Sequence, residues 1–68
     1  MQMIPVSSSD IRSVGYESQT LYVRFHSGGL YAYKGVPYSE YTALLNASSH
    51  GKYFAANIKN TYPYFKVS

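Results

Sequence analysis

The chain has 68 residues, a formal net charge of +3, nine tyrosines, three phenylalanines and no cysteine. That length leaves room for one domain over residues 1–68 and a thin margin of stability, since a chain of this size buries only roughly 60% of the surface it exposes when unfolded. A disulfide framework is excluded, and two histidines with three acids make a poor metal-ligand set, so aromatic rings must fill the core and no cofactor is expected.

Ile4–Val6 reads as a short edge strand, because Pro5 removes a backbone donor. Ser7–Asp10 is a turn. Ile11–Glu17 follows as a strand with Gly15 as a candidate bulge, and Thr20–His26 alternates so that Leu21, Val23 and Phe25 share one face while Tyr22, Arg24 and His26 share the other. Ser27-Gly28-Gly29 signals a tight hairpin, and Leu30–Lys34 returns as a third strand of the meander.

Pro37 suits a first helical position, and Tyr38, Tyr41, Leu44, Leu45 and Ser48 recur at helical spacing, so Pro37–Ala47 is expected to be a helix. A second is expected over Ser49–Asn60, with Gly51, Phe54, Ala55, Ile58 and Tyr62 along one side and Pro63 blocking its continuation. The fold class is therefore α+β: an antiparallel β-meander of three to four strands followed by two helices packed on one face. The N-terminal residues lack the pattern of a secretory signal and no stretch has the length of a membrane span, so a cytoplasmic protein without a membrane partner is expected.

The order Ser8, Val14-Gly15-Tyr16, Leu21-x-Val23-x-Phe25, Gly28, Tyr31-Ala32-Tyr33, Val36-Pro37, Leu45-x-Ala47-x-Ser49-x-Gly51-x-Tyr53-Phe54 and Ile58-Lys59 resembles the KTSC domain family over nearly the whole chain. That family takes its name from the C-terminus of some lysyl-tRNA synthetases, also occurs as stand-alone bacterial proteins, and is marked by a central Tyr-x-Tyr. Tyr31 and Tyr33 stand at that motif. Ala55 departs from the pattern, which usually has a polar residue there. The resemblance implies an RNA-binding role through the synthetase context and brings no catalytic residue with it.

The hairpin offers two outcomes that differ by one residue of register. A two-residue turn would set Tyr31 and Tyr33 beside Tyr22, Arg24 and His26 as a platform on which bases stack. A three-residue loop over Ser27–Gly29 would send both rings to the Leu21/Val23/Phe25 face as core, the commoner use of strand aromatics. Near the second helix, Ser48 or Ser49 reads first as an N-cap, with anion binding as the alternative. Lys52 sits in the first turn, where the helix dipole disfavours a cation, and Lys52, Ala56 and Lys59 share a face that could meet a nucleic-acid backbone or simply be solvated. Tyr22, Arg24, His26, Tyr31, Tyr33, Ser49, Lys52 and Lys59 are accordingly the candidate nucleic-acid contacts.

An enzyme would have to draw on Ser7–Ser9 or Ser48/Ser49 as nucleophile, His26 or His50 as base and Asp10 or Glu17 as orienting group. No nucleophile elbow, phosphate loop, paired-histidine helix or dinucleotide fingerprint accompanies them. A non-catalytic binding module is expected, with RNA or another nucleic acid as partner, or a protein partner as the alternative.

Overall fold

A computed structural model describes residues 1–68. The elements follow as β1 (Ile4–Pro5), β2 (Ile11–Glu17), β3 (Thr20–Phe25), β4 (Leu30–Lys34), α1 (Tyr38–Asn46), α2 (His50–Asn57) and β5 (Tyr64–Lys66). All five strands form one antiparallel sheet in the order β1-β2-β3-β4-β5, and both helices are inserted between β4 and β5. The α+β meander with two helices is thus as expected, with one strand more. Past Pro63 the chain extends and pairs with β4 instead of ending the fold, and Pro63 itself accepts a hydrogen bond from the Lys34 amide at 2.8 Å.

The β2–β3 hairpin pairs Glu17 with Thr20, so Ser18 and Gln19 form a two-residue turn with φ of 51° and 58°. Both central residues lie in the left-handed region, as a type I′ turn requires, although neither is Gly or Asn. Gln19 O accepts from the Val36 amide and Ser18 O from the Thr20 hydroxyl, which hold the turn in place. The pairing is irregular between Ile11 and Ser13, so the bulge falls at Arg12 and not at Gly15, whose pairing with Tyr22 is regular. Gly15 has a different reason to lack a side chain. A Cβ there would lie 2.7 Å from Met3 Sδ and 3.1 Å from Met1 Sδ, because the N-terminal segment crosses the sheet at that point.

The register of β3 against β4 pairs Val23 with Tyr31 and Leu21 with Tyr33. The Phe25 amide donates to Gly29 O at 3.0 Å, which closes a loop of His26, Ser27 and Gly28, with Gly28 at φ 110°. The loop is three residues long, one position earlier than Ser27–Gly29 but of the same parity. Tyr31 and Tyr33 therefore lie on the core face.

α1 begins one residue later than expected. Pro37 is its N-cap in extended conformation, and its carbonyl accepts from the Glu40 and Tyr41 amides. α2 is capped by Ser49, whose hydroxyl accepts from the Lys52 amide at 3.3 Å, and ends at Asn57 with Ile58 as C-cap. Both helices present short apolar stripes to the sheet: Tyr41 and Leu44 from α1, Phe54 from α2 and Ile58 just beyond it join Ile11, Val14, Leu21, Val23, Tyr33 and Val36 in one core. Each fully buried aliphatic side chain here, such as Leu21 or Ile58, contributes roughly 1.5–3 kcal/mol relative to exposure.

The tyrosines divide as their chemistry demands. Tyr33 and Tyr41 are buried, Tyr38 and Tyr64 are exposed, and the other five are half-buried. Tyr16 packs face to face on Tyr41, with centroids 5.1 Å apart, and donates to Val36 O at 2.6 Å. Glu40 joins the helices: its carboxylate accepts from the Tyr53 hydroxyl and, at 3.1 Å, from the Tyr62 hydroxyl. Tyr53 is raised above its ordinary pKa chiefly by that bond, and Tyr62 chiefly by burial with the Glu40 bond adding to it. No helix is long and apolar enough to cross a membrane.

Candidate nucleic-acid interface

The core face of the sheet continues past the helices as a cleft of about 670 Å³ between the β3–β4 loop, α2 and β5. Five aromatic rings line it and touch in a closed circuit. Phe25 meets Phe54 and Tyr31 at centroid distances of 5.6 Å, Tyr31 meets Tyr64 at 5.9 Å, Tyr64 stacks on Tyr33 at 5.2 Å and Tyr33 returns to Phe54 at 5.2 Å. Each strand contributes by alternation: Phe25 from β3, Tyr31 and Tyr33 from β4, and Tyr64 from β5 opposite Tyr33. Tyr31 also requires a bare neighbour, since a Cβ on Gly29 would lie 2.7 Å from its ring.

A lysine and a histidine stand at the edge of the cleft. Lys59, just beyond α2, and His26, on the hairpin loop, both line it and both are exposed. His26 is tied to the turn before β2 by a 2.9 Å hydrogen bond between Nε2 and Ser8 O. Lys66 is paired across strands with Tyr31 on the same face. Asp10 is the one acid among the lining residues.

A smaller hollow of about 420 Å³ adjoins the cleft and shares Ser9, Asp10, Gly51 and Ala55 with it; Ser7, Ser8, Ser48, Ser49, His50 and Lys52 complete its wall. The serines here have local duties. Ser8 Oγ accepts from the Asp10 and Ile11 amides at 3.3 Å, and Ser49 caps α2. A Cβ on Gly51 would lie 3.6 Å from Asp10 Oδ2, so a carboxylate already stands against the first turn of α2. That acid offsets the unfavourable position of Lys52 at the positive end of the helix dipole.

The residues singled out from sequence thus fall into three groups. His26, Tyr31, Tyr33 and Lys59 come together in the cleft, and Ser49 and Lys52 flank the adjoining hollow. Tyr22 and Arg24 do not join them. Tyr22 is paired with Gly15 and Ala32, and Arg24 with Ser13 and Leu30, on the opposite face, where Arg24 Nη1 donates to Gly28 O at 3.4 Å. A single platform of Tyr22, Arg24, Tyr31 and Tyr33 is excluded by the register. Phe25, Phe54 and Tyr64 belong to the site and were not anticipated there. Tyr64 had a signal, since Tyr64-Phe65-Lys66-Val67 alternates after the proline, whereas the two phenylalanines read only as core.

No group of three or more His, Cys, Asp or Glu side chains is placed to hold a metal ion. The arrangement can accept a flat apolar ring on aromatic faces and neutralise an anion at its edge.

A short antiparallel meander with a helix pair inserted before its last strand, bearing an aromatic cleft with a basic edge, defines a small α+β domain. The chain belongs to the KTSC domain family, which matches residues 7–62. It is similar to an uncharacterized protein of Stutzerimonas stutzeri, 41% identical over 98% of this chain and 99% of that protein. It is also similar to a lysine–tRNA ligase of Trichormus variabilis, 38% identical over 97% of the chain but only 12% of the ligase. The crystal structure of a KTSC domain protein from Yersinia pestis superimposes with a TM-score of 0.95, at 36% identity, and covers 98% of this chain and 97% of that one. These matches assign the chain itself to no catalytic family.

Proposed function

We propose that this domain is a non-catalytic binding module for single-stranded RNA, which it takes in the cleft between the β3–β4 loop, α2 and β5. One observation carries the reading: a closed circuit of five aromatic rings lines a single cleft that has Lys59 in its wall and Lys66 paired with Tyr31 beside it. Aromatic faces accept unpaired bases of any sequence, worth roughly 1–3 kcal/mol per stacked base, while lysines at the edge neutralise phosphate. A duplex keeps its bases stacked inside and offers no ring to this cleft. The net charge of +3 and the similarity to a segment of lysine–tRNA ligases support the same class of partner.

Labelled single-stranded RNA, a hairpin RNA and duplex DNA, titrated at about 50 and 200 mM salt, test it, because multi-phosphate contacts weaken strongly over that range. Single-stranded RNA should bind best and lose affinity with salt. Lys59→Ala and Tyr64→Ala should each weaken it, and Arg24→Ala, on the opposite face, should leave it unchanged. Absence of binding to all three at tens of micromolar protein would overturn the reading.

A second reading, a protein-binding module, draws on β5, an edge strand on which Tyr64 and Phe65, with Val67 just after it, are exposed. Exposed edge backbone and apolar side chains suit strand addition by a partner chain. Salt-insensitive capture of a protein partner, abolished by a proline at Lys66, would favour it.

A further inference from the structure

Tyr33 is only 4% exposed, yet its hydroxyl makes no hydrogen bond within the protein. The oxygen is not sealed, because no buried side-chain nitrogen or oxygen lacks a partner. Tyr16, Tyr53 and Tyr62 all spend their hydroxyls on internal acceptors. Of the two buried tyrosines, Tyr33 alone lines a cleft, and that cleft is the five-ring one. A polar atom without an internal partner, on a side chain that lines an aromatic hollow and keeps only a sliver of exposure, is the arrangement by which a site tells one flat ring from another, since an unmatched ligand leaves that atom unpaired.

We propose that Tyr33 is the specificity-determining residue of the cleft: one unstacked nucleobase enters among Phe25, Tyr31, Tyr64 and Phe54, and its polar edge hydrogen-bonds the Tyr33 hydroxyl. This rests on the RNA reading above and adds to it that the identity of the base, and not only its flat face, is recognised. Aromatic surroundings alone would also suit an organic cation, but two lysines, Lys59 in the wall and Lys66 paired with Tyr31, stand against the single acid Asp10, which disfavours one. A base fits because its ring carbonyls and nitrogens accept, and its amino groups donate, and a neutral phenol can do either. Burial pushes the Tyr33 pKa up to about 12, so the phenol stays neutral at any working pH.

The test is fluorescence anisotropy of labelled octanucleotides of A, C and U and an abasic strand of equal length, with the wild-type protein and Tyr33→Phe. The wild type should prefer one base over the others and over the abasic strand. Tyr33→Phe, which removes only an unpartnered hydroxyl, should keep the salt dependence and lose roughly threefold to tenfold in affinity for the preferred base, the worth of one neutral hydrogen bond. An unaltered preference in Tyr33→Phe would overturn the proposal, as would wild-type binding of the abasic strand as tight as that of the others. The first result would leave the RNA reading standing, whereas the second would leave RNA binding but remove the rings of the cleft as its site. No binding of any strand would remove the RNA reading and this inference together. Should Tyr33→Phe melt early, the ring resonances of Tyr33 in the wild type decide: they should shift with the preferred octanucleotide, and their failure to move would overturn the assignment.

Discussion

The ring of Tyr33 meets that of Phe54 edge-on, with centroids 5.2 Å apart and planes at 85°. Both rings belong to the core and both line the cleft. The ring of Tyr33 therefore does the packing, and its hydroxyl is the part left for the proposed ligand. Tyr33→Ala should cost on the scale of Phe→Ala core losses, roughly 3–5 kcal/mol, most of the stability of so small a domain. Tyr33→Phe should be close to neutral, because no internal bond is lost. Urea denaturation of both variants checks this; a comparable loss in the two would show that the hydroxyl has a structural partner.

Glu40 should behave as a clamp between α1, α2 and the turn that follows α2. Its carboxylate accepts from Tyr53 and Tyr62 together, so Glu40→Ala removes the acceptor of two hydroxyls and should lower the urea midpoint. Tyr53→Phe and Tyr62→Phe should each cost less, and their effects should be non-additive in a double-mutant cycle because they share one acceptor. Strict additivity would show that the two bonds are independent.

The Ser18–Gln19 turn should be improvable. Both residues hold positive φ, which costs an L-residue roughly 1–2 kcal/mol and glycine almost nothing. Gln19→Gly should stabilise the domain by about 1 kcal/mol, seen as a higher urea midpoint at unchanged slope. A lower midpoint would mean that the Gln19 side chain contributes more than the turn costs.

Alkaline pH should unfold the protein earlier than tyrosine content alone would suggest. Tyr33 and Tyr41 are raised by burial, Tyr53 by its bond to Glu40 and Tyr62 by burial with the same carboxylate. A raised folded pKa means that the stability is fully present below the ordinary value of 10.0 and is lost as pH rises toward about 12, the value of Tyr33, because the unfolded chain releases its protons first. Thermal melts should hold steady to about pH 9 and then fall steeply. In Tyr33→Phe the fall should be shallower; a flat profile through this window would contradict the assignment.

Much of the fold was legible because it rests on alternation. Leu21, Val23 and Phe25 against Tyr22 and Arg24 fixed β3, and β2 and β4 began and ended where their sequences indicated. The site was harder to read, since it depends on the parity of one loop. Whether Tyr31 faced Val23 or Arg24 turned on the Phe25–Gly29 closure and the left-handed conformation of Gly28, which a Ser-Gly-Gly run permits without choosing. β5 was faint in the sequence because its alternation runs over only three residues and directly follows Pro63, which reads first as a helix stop. Gly15 was legible as unusual and not for its cause, because a bulge and a close approach call for the same missing side chain.

The sheet order follows the chain order, but the last pairing, β4 with β5, is closed across both helices in sequence. The β2–β3 and β3–β4 hairpins rest on near neighbours in sequence, whereas Tyr64 must return from the far side of α2 to reach Tyr33. Distant closures carry the larger loop entropy and open first. The amides bonded between β4 and β5 should therefore exchange with solvent faster than those between β2 and β3. The cleft would then vanish by partial opening while the hairpins stay intact, and a ligand held there would slow exchange at β5 before it raised the melting temperature of the whole.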